Sequence, residues 1–243
     1  MRTISGFGRR VQALLGGAPR AAMTASVGPA VAGETVRPLA IPGRPLLDDE
    51  PGEQRRGGVR LDQVDGTTCG SAVLVALAAW AAPDELARLE PDGPDPVVGG
   101  IRRGFGARYD ARQKQVHRET NRLWPQALGT TPWAMVRWLT RNVPAAGRYR
   151  VRLVDDSSAH DVGPLVDEVG AALAVGRPVP LLVGTAVPRH YCLALSARDD
   201  GYWHVYEPTS GQVRALDPQL IGRRALGPVL GFDHLHTALL PRV

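Results

Sequence analysis

The chain has 243 residues, of which 44% are hydrophobic and 22% charged, a composition typical of a globular protein with one sizeable core or two small ones. No segment approaches the roughly 20 consecutive apolar residues that a membrane-spanning helix requires, so we expect no integral membrane segment. The net charge is only +5 and aromatic residues make up 5%, so the composition gives no support to nucleic-acid binding. Two cysteines exclude a multi-bridge disulfide scaffold and a four-cysteine zinc site.

The N-terminal segment differs from the rest of the chain. Its first 59 residues hold 10 Gly, 6 Pro and a single aromatic residue, and such a stretch buries too little apolar surface to offset the entropy of ordering it. We therefore predict a disordered or pro-segment-like leader over residues 1–58 and one domain over residues 59–243. The apolar run Val11 to Leu15 is shorter than the ~7–15 residues of a signal-peptide core. A cytoplasmic location is expected, with export as an open alternative.

From residue 59 onward, predicted helices come first and predicted strands follow. The apolar run from Cys69 to Ala82 predicts a buried helix that ends at Pro83. Thr131 and Pro132 have the N-cap and first-turn pattern of another helix. The remaining predicted elements are a polar helix over 107–123, a strand over 149–154, a helix over 162–175, and strands over 178–183, 190–197 and 202–207. This order predicts an α+β fold.

Cys69 is the first candidate for chemistry. It lies where a Gly/Thr-rich loop enters the predicted buried helix, so its thiol would face the unpaired N–H groups and the positive end of the helix dipole, which favour a thiolate. A cysteine in such a place is also consistent with a small buried hydrophobic residue.

His190 and Glu207 are two further candidates, which act as a pair. They lie at the two ends of one predicted hairpin, whose turn is Asp199-Asp200-Gly201, and therefore meet at its open end. A carboxylate there would fix the imidazole tautomer and support its positive charge. Gln63, on the loop before Cys69, is the candidate side-chain donor of an oxyanion hole.

These residues together resemble the papain-like cysteine peptidases. The pattern is Gln63, then Cys69-Gly70-Ser71 at a helix start, then His190-Tyr191 and Glu207-Pro208. It is most similar to the bacterial branch of double-glycine leader peptidases, and the likeness covers residues 60 to 215. Ala72 and Val73 stand where papain has Cys and an aromatic residue, and Glu207 stands where Asn or Asp is usual.

The resemblance implies a papain-like fold, in which an N-terminal helical half carrying the nucleophile helix packs on a C-terminal antiparallel sheet. It also implies roles: Cys69 as nucleophile, His190 as acid and base, Glu207 as orienting group and Gln63 as oxyanion donor, with a peptide or protein as substrate and no cofactor. Two alternatives remain open. One is an inactive papain-like domain that binds a peptide or protein, and the other is an acyltransferase or transglutaminase-type enzyme that uses the same Cys-His pair.

Other clusters give weaker hypotheses. A zinc site would need Cys69, His190 and Cys192 together with His204, but these residues have no standard zinc spacing. Cys192 is instead expected to pack beneath the site. A redox role of Cys192 beside Cys69 is left open. His234 and His236 are interpreted as surface residues. The tryptophans at 124, 133 and 138 are interpreted as packing residues, since positions 133 and 138 do not share a helix face.

Overall fold

The computed structural model describes residues 3, 6, 45–90, 97–98, 101–102, 104–121 and 129–242. Most of the predicted leader and Trp124 lie outside these residues. The described part of the chain combines helices with a large antiparallel sheet, which confirms the α+β prediction.

Helices are spread along the whole described chain. Helix α1 begins at Cys69, as predicted, and Pro83 starts the next helix directly after it, because proline is compatible with the first turn of a helix. The helices are α1 Cys69–Ala81, α2 Pro83–Leu89, α3 Phe105–Thr120, α4 Pro132–Asn142, α5 Ala159–Ala174, α6 Gln219–Arg223 and α7 Gly227–Leu230, with a 3-10 turn at Pro144–Ala146.

A seven-stranded antiparallel sheet has the order β1-β10-β9-β8-β7-β11-β6. Its strands are β1 Gly52–Glu53, β6 Tyr149–Leu153, β7 Val179–Gly184, β8 Pro188–Ala197, β9 Trp203–Glu207, β10 Gln212–Leu216 and β11 His234–Pro241. Two short ribbons pair β2 Arg55–Arg56 with β3 Val59–Arg60, and β4 Val97–Val98 with β5 Ile101–Arg102.

The sheet is covered on both faces. Along β8, Tyr191, Leu193 and Leu195 belong to one hydrophobic cluster together with α1, α3 and α4. Cys192 and Ala194 alternate with them and belong to a second cluster with α5 and α6. The helical layer is thus not confined to the N-terminal half, because α5 covers the face that α1 leaves free.

The packed chain begins N-terminal of residue 59. Leu46 and Leu47 are buried in the cluster around α1, and β1 extends the sheet by pairing with β10. Arg56 holds Glu90 at the end of α2 through two hydrogen bonds of 2.6 Å. Residues 45–58, assigned to the leader from their Gly and Pro content, therefore form a strap that is part of the folded domain.

The turn before β10 packs closely against residues 60 and 61, which follow the strap. Gly211 has φ +65°, and a Cβ built there lies 3.0 Å from the carbonyl oxygen of Leu61 and 2.9 Å from Cγ of Arg60. Gly176 has a similar φ of +70°, with no heavy atom within 4 Å of its built Cβ. The two glycines differ in crowding and share the left-handed backbone.

We therefore expect Gly211→Ala to lower the free energy of unfolding by at least about 1 kcal/mol more than Gly176→Ala, which meets only the left-handed backbone penalty. Urea unfolding followed by circular dichroism measures both variants. Equal losses for the two would show that Arg60 and Leu61 do not crowd residue 211.

Within the described residues, no single helix is long and apolar enough to cross a membrane. The bent pair α1 and α2 meets the length and composition test only when the two helices are taken together.

Candidate active site

Cys69 is the first residue of α1, and the N-terminus of that helix has no side-chain cap. The Thr68 hydroxyl donates to the carbonyl of Asp65 at 3.0 Å, and no acidic residue lies in the first turn. The N–H groups of the first turn and the positive end of the dipole are therefore directed at the Cys69 position without a capping side chain.

The loop before Cys69 is held by its own hydrogen bonds. Oδ1 of Asp65 accepts from the backbone N–H of Thr67 at 2.9 Å and from its hydroxyl at 2.7 Å. Burial raises the pKa of Asp65, but these bonds outweigh it and the pKa lies below its ordinary value. The ionised Asp65 thus fixes the turn that starts the helix.

His190 and Glu207 are in contact at the open end of the β8–β9 hairpin. Nε2 of His190 lies 2.7 Å from Oε1 of Glu207, and each side chain is only 8% exposed. Since Nε2 is engaged by the carboxylate, Nδ1 is the nitrogen left for a thiol. The longer glutamate side chain therefore reaches the imidazole.

Glu207 is also held by two backbone donors that the sequence did not indicate as site residues. The N–H of Thr209 donates to Oε1 at 2.7 Å and that of Ser210 to Oε2 at 2.9 Å. Burial raises the pKa of Glu207, but bonds from His190, Ser210 and Thr209 outweigh it and lower the pKa to about 2. The sequence signal that could have indicated these donors is the turn-forming segment from Pro208 to Gly211, which directly follows Glu207.

The imidazole of His190 is surrounded by groups that favour its charged form. Burial lowers the pKa of His190, but interactions with the thiols of Cys192 and Cys69 and with the Glu207 carboxylate outweigh burial and raise it well above 6.5. The Glu207 carboxylate thus favours the imidazolium form of His190, which is the partner that a thiolate requires.

Two thiols interact with His190, and the structure distinguishes them. Both cysteines are free, and Cys192 is completely buried on the face of the sheet that packs against α5. Burial raises the pKa of the Cys192 thiol and so keeps it protonated. Cys69 is 6% exposed and lies at a helix N-terminus, so Cys69 is the better candidate for a nucleophile.

Gln63 lies between the nucleophile loop and the turn after Glu207. Its Nε2 donates to the carbonyl of Asp65 at 2.8 Å, its Oε1 accepts from the Thr209 hydroxyl at 3.3 Å, and its backbone N–H donates to Pro208. One Nε2 hydrogen is therefore engaged within the loop. The role of Gln63 as an oxyanion donor stays a prediction.

Gly70 serves packing. A Cβ built at this position lies 3.2 Å from Cδ2 of Tyr191 and 3.3 Å from Cβ of Thr130. The Tyr191 hydroxyl donates to the Thr130 carbonyl at 3.0 Å, which joins β8 to the start of α4 beside the nucleophile. The missing side chain at Gly70 thus permits a close contact of three elements.

The C-terminal histidines are not surface residues. His236 is fully buried and its Nε2 is 3.0 Å from the carbonyl oxygen of Thr185, while Nδ1 of His234 is 2.8 Å from Asp156. Both begin β11, whose buried face the sequence pattern did not reveal. No group of three His, Cys, Asp or Glu side chains suited to a metal ion occurs among the residues that the structure describes.

The ion pair of the site has a consequence for acid stability. Because the pKa of Glu207 is about 2 in the folded chain and ordinarily 4.5, its contribution to stability is present above pH 4.5 and is lost as the pH falls toward 2. We expect this loss to reach up to about 3 kcal/mol in the wild type.

The Glu207→Gln variant lacks the titrating group, so its free energy of unfolding should change less between pH 4.5 and pH 2. Urea unfolding at a series of pH values tests this. An identical pH dependence in both proteins would contradict an ionised Glu207 in the folded state.

A comparison with protein-family models and with curated proteins finds no match to this sequence.

Proposed function

We propose that this protein is a cysteine-type hydrolase that cleaves a peptide or isopeptide bond. The observation that supports it most is the 2.7 Å contact between His190 and Glu207, made by an imidazole that also interacts with Cys69 at a helix N-terminus. An oriented imidazolium beside a thiol at such a position is the arrangement that generates a nucleophilic thiolate.

In the proposed reaction, Sγ of Cys69 attacks the carbonyl carbon of the scissile amide. The C–N bond breaks as His190 gives a proton to the leaving amine, which leaves a thioester on Cys69 and a neutral imidazole. Water then attacks the thioester while His190 accepts its proton, and the carboxylic acid product leaves as the thiolate–imidazolium pair re-forms. Glu207 keeps the ring oriented throughout, and the backbone N–H of Cys69 is available to the oxyanion, with Gln63 as the proposed second donor.

Acyl transfer is a second candidate that burial of the site favours. Cys69, His190 and Glu207 are all buried, and a site that limits access of water favours an amine over water as the acceptor of the acyl group. The same thioester serves both reactions, so only the acceptor differs.

A proteome-derived peptide library, incubated with the purified protein and analysed by mass spectrometry, tests the proposal. Hydrolysis gives new carboxyl termini, whereas acyl transfer in the presence of added glycine amide gives the corresponding amides. Cys69→Ala is the matched control. If no product depends on Cys69 with or without the added amine, the hydrolase and the transferase proposals both fail.

A further inference from the structure

Trp133 does not pack in the core. Its side chain lies in the first turn of α4 and is 57% exposed, whereas Trp138 on the same helix is buried. The interpretation of Trp133 as a packing residue is therefore wrong, because the buried stripe of α4 runs through Met135, Trp138 and Leu139. Exposure of the apolar indole surface to water is unfavourable unless a ligand covers it, so Trp133 is a candidate for a binding residue.

The exposed face of α4 continues from Trp133 with cations. Arg137 and Arg141 follow at intervals of four residues, and both are exposed. We call Trp133, Arg137 and Arg141 the α4 strip. Neither guanidinium forms an ion pair with any residue that the structure describes, in contrast to Arg112, which binds Glu85.

The tryptophan end of the α4 strip is the end nearest the candidate nucleophile. Thr130, just before the helix, contacts Gly70, the residue after Cys69, and its carbonyl accepts from Tyr191, the residue after His190. Thr131 caps α4 by accepting from the N–H of Ala134 at 3.2 Å, which fixes the first turn. The strip therefore leads away from the site along a rigid helix about 16 Å long.

We propose that the α4 strip binds a peptide substrate, with an apolar side chain of the substrate on Trp133 and an acidic side chain on Arg137. The proposal rests on the proposed function, since it takes the bound segment to be part of the substrate. It specifies an extended peptide that carries an apolar and an acidic residue two positions apart.

The spacing follows from the two geometries. Side chains four residues apart on a helix have Cβ atoms about 5–6 Å apart. In an extended peptide, residues two positions apart lie on the same face and about 6.6 Å apart. A second acidic residue further along such a peptide meets Arg141, and a basic residue in place of the acid is repelled.

Binding is tested without turnover. The full-length Cys69→Ala protein is applied to an array of short synthetic peptides in which an apolar and an acidic residue are adjacent, two positions apart or three positions apart, in both orders. We expect the peptides with two-position spacing to be retained most strongly. Trp133→Ala in the same background should weaken retention at least ~10-fold, as removal of an aromatic anchor does.

Arg137→Glu should shift retention from acidic peptides to basic ones. Tyr202→Ala and Arg223→Glu are the matched controls, because they alter an exposed aromatic residue and an exposed arginine elsewhere in the domain. Both controls should bind like the parent. Equal binding by the Trp133 variant and the parent, or no retained peptide at all, would overturn the proposal.

Cleavage of the same peptides by the chain with Cys69 intact separates this proposal from the proposed function. A Trp133→Ala variant that raises KM and leaves kcat unchanged supports a binding role. Peptides that are retained through Trp133 and are not cut would sustain the binding surface and contradict the hydrolase. Peptides that are cut with no change in KM in the Trp133 variant would sustain the hydrolase and contradict the binding surface.

Discussion

Replacing Cys69 with alanine is expected to lower peptide cleavage by at least about 1,000-fold, since loss of a nucleophile removes the covalent pathway. The expectation depends on which of the two thiols near His190 reacts. Cys69 begins α1 and is slightly exposed, whereas Cys192 is completely buried and burial raises the pKa of its thiol. Initial rates on the library peptides that the wild type cuts fastest measure the effect.

Cys192→Ala is the matched variant, because it removes the other thiol that interacts with the same imidazole. We expect this variant to retain Cys69-dependent cleavage and alkylation. Circular dichroism and urea unfolding show whether each variant is folded. Loss of cleavage in a folded Cys192→Ala protein together with retention in Cys69→Ala would exchange the two roles and contradict the assignment of the nucleophile.

Glu207→Gln is expected to lower kcat by up to roughly 10⁴-fold, since a loss of that order follows when the carboxylate that orients a catalytic histidine becomes an amide. The substitution keeps the length of the side chain and removes the charge. His190 then loses the 2.7 Å ionic contact, and the N–H groups of Thr209 and Ser210 compete for the single amide oxygen. Steady-state kinetics on a cleaved library peptide give kcat and KM separately.

Glu90→Gln is the control for this prediction. Glu90 also forms a short, doubly hydrogen-bonded ion pair, with Arg56, and that pair belongs to the strap. Its removal should leave kcat unchanged. A Glu207→Gln protein with the kcat of the wild type would show that the carboxylate has no part in orienting the imidazole.

The helix start at Cys69 and the β8–β9 hairpin could be predicted from the sequence because both depend on local signals. The apolar run ended by Pro83 defined α1, and the turn Asp199-Asp200-Gly201 implied that residues at the two open ends of the hairpin meet. Hairpin topology alone therefore brought His190 and Glu207 together.

The strap and the surroundings of the site depend on tertiary contacts that no local pattern reports. Leu46 and Leu47 are two apolar residues in a polar, Gly/Pro-rich segment, and their burial beside α1, together with the pairing of β1 with β10, makes residues 45–58 part of the domain. Trp133 is exposed and His236 is buried, whereas the sequence suggested the reverse for both. Packing against neighbouring elements decides which face of α4 and which face of β11 is covered.

The most direct test of the account is the rate of Cys69 alkylation by iodoacetamide from pH 5 to pH 9, compared in the wild type and in His190→Ala. Because the surroundings of His190 keep its pKa well above 6.5, its imidazolium is available to stabilise a Cys69 thiolate across this range. We expect alkylation of the wild type to persist at pH 5 and to collapse there in His190→Ala. A slow reaction in both proteins that rises together near the ordinary thiol value of ~8.5 would contradict a histidine-activated nucleophile.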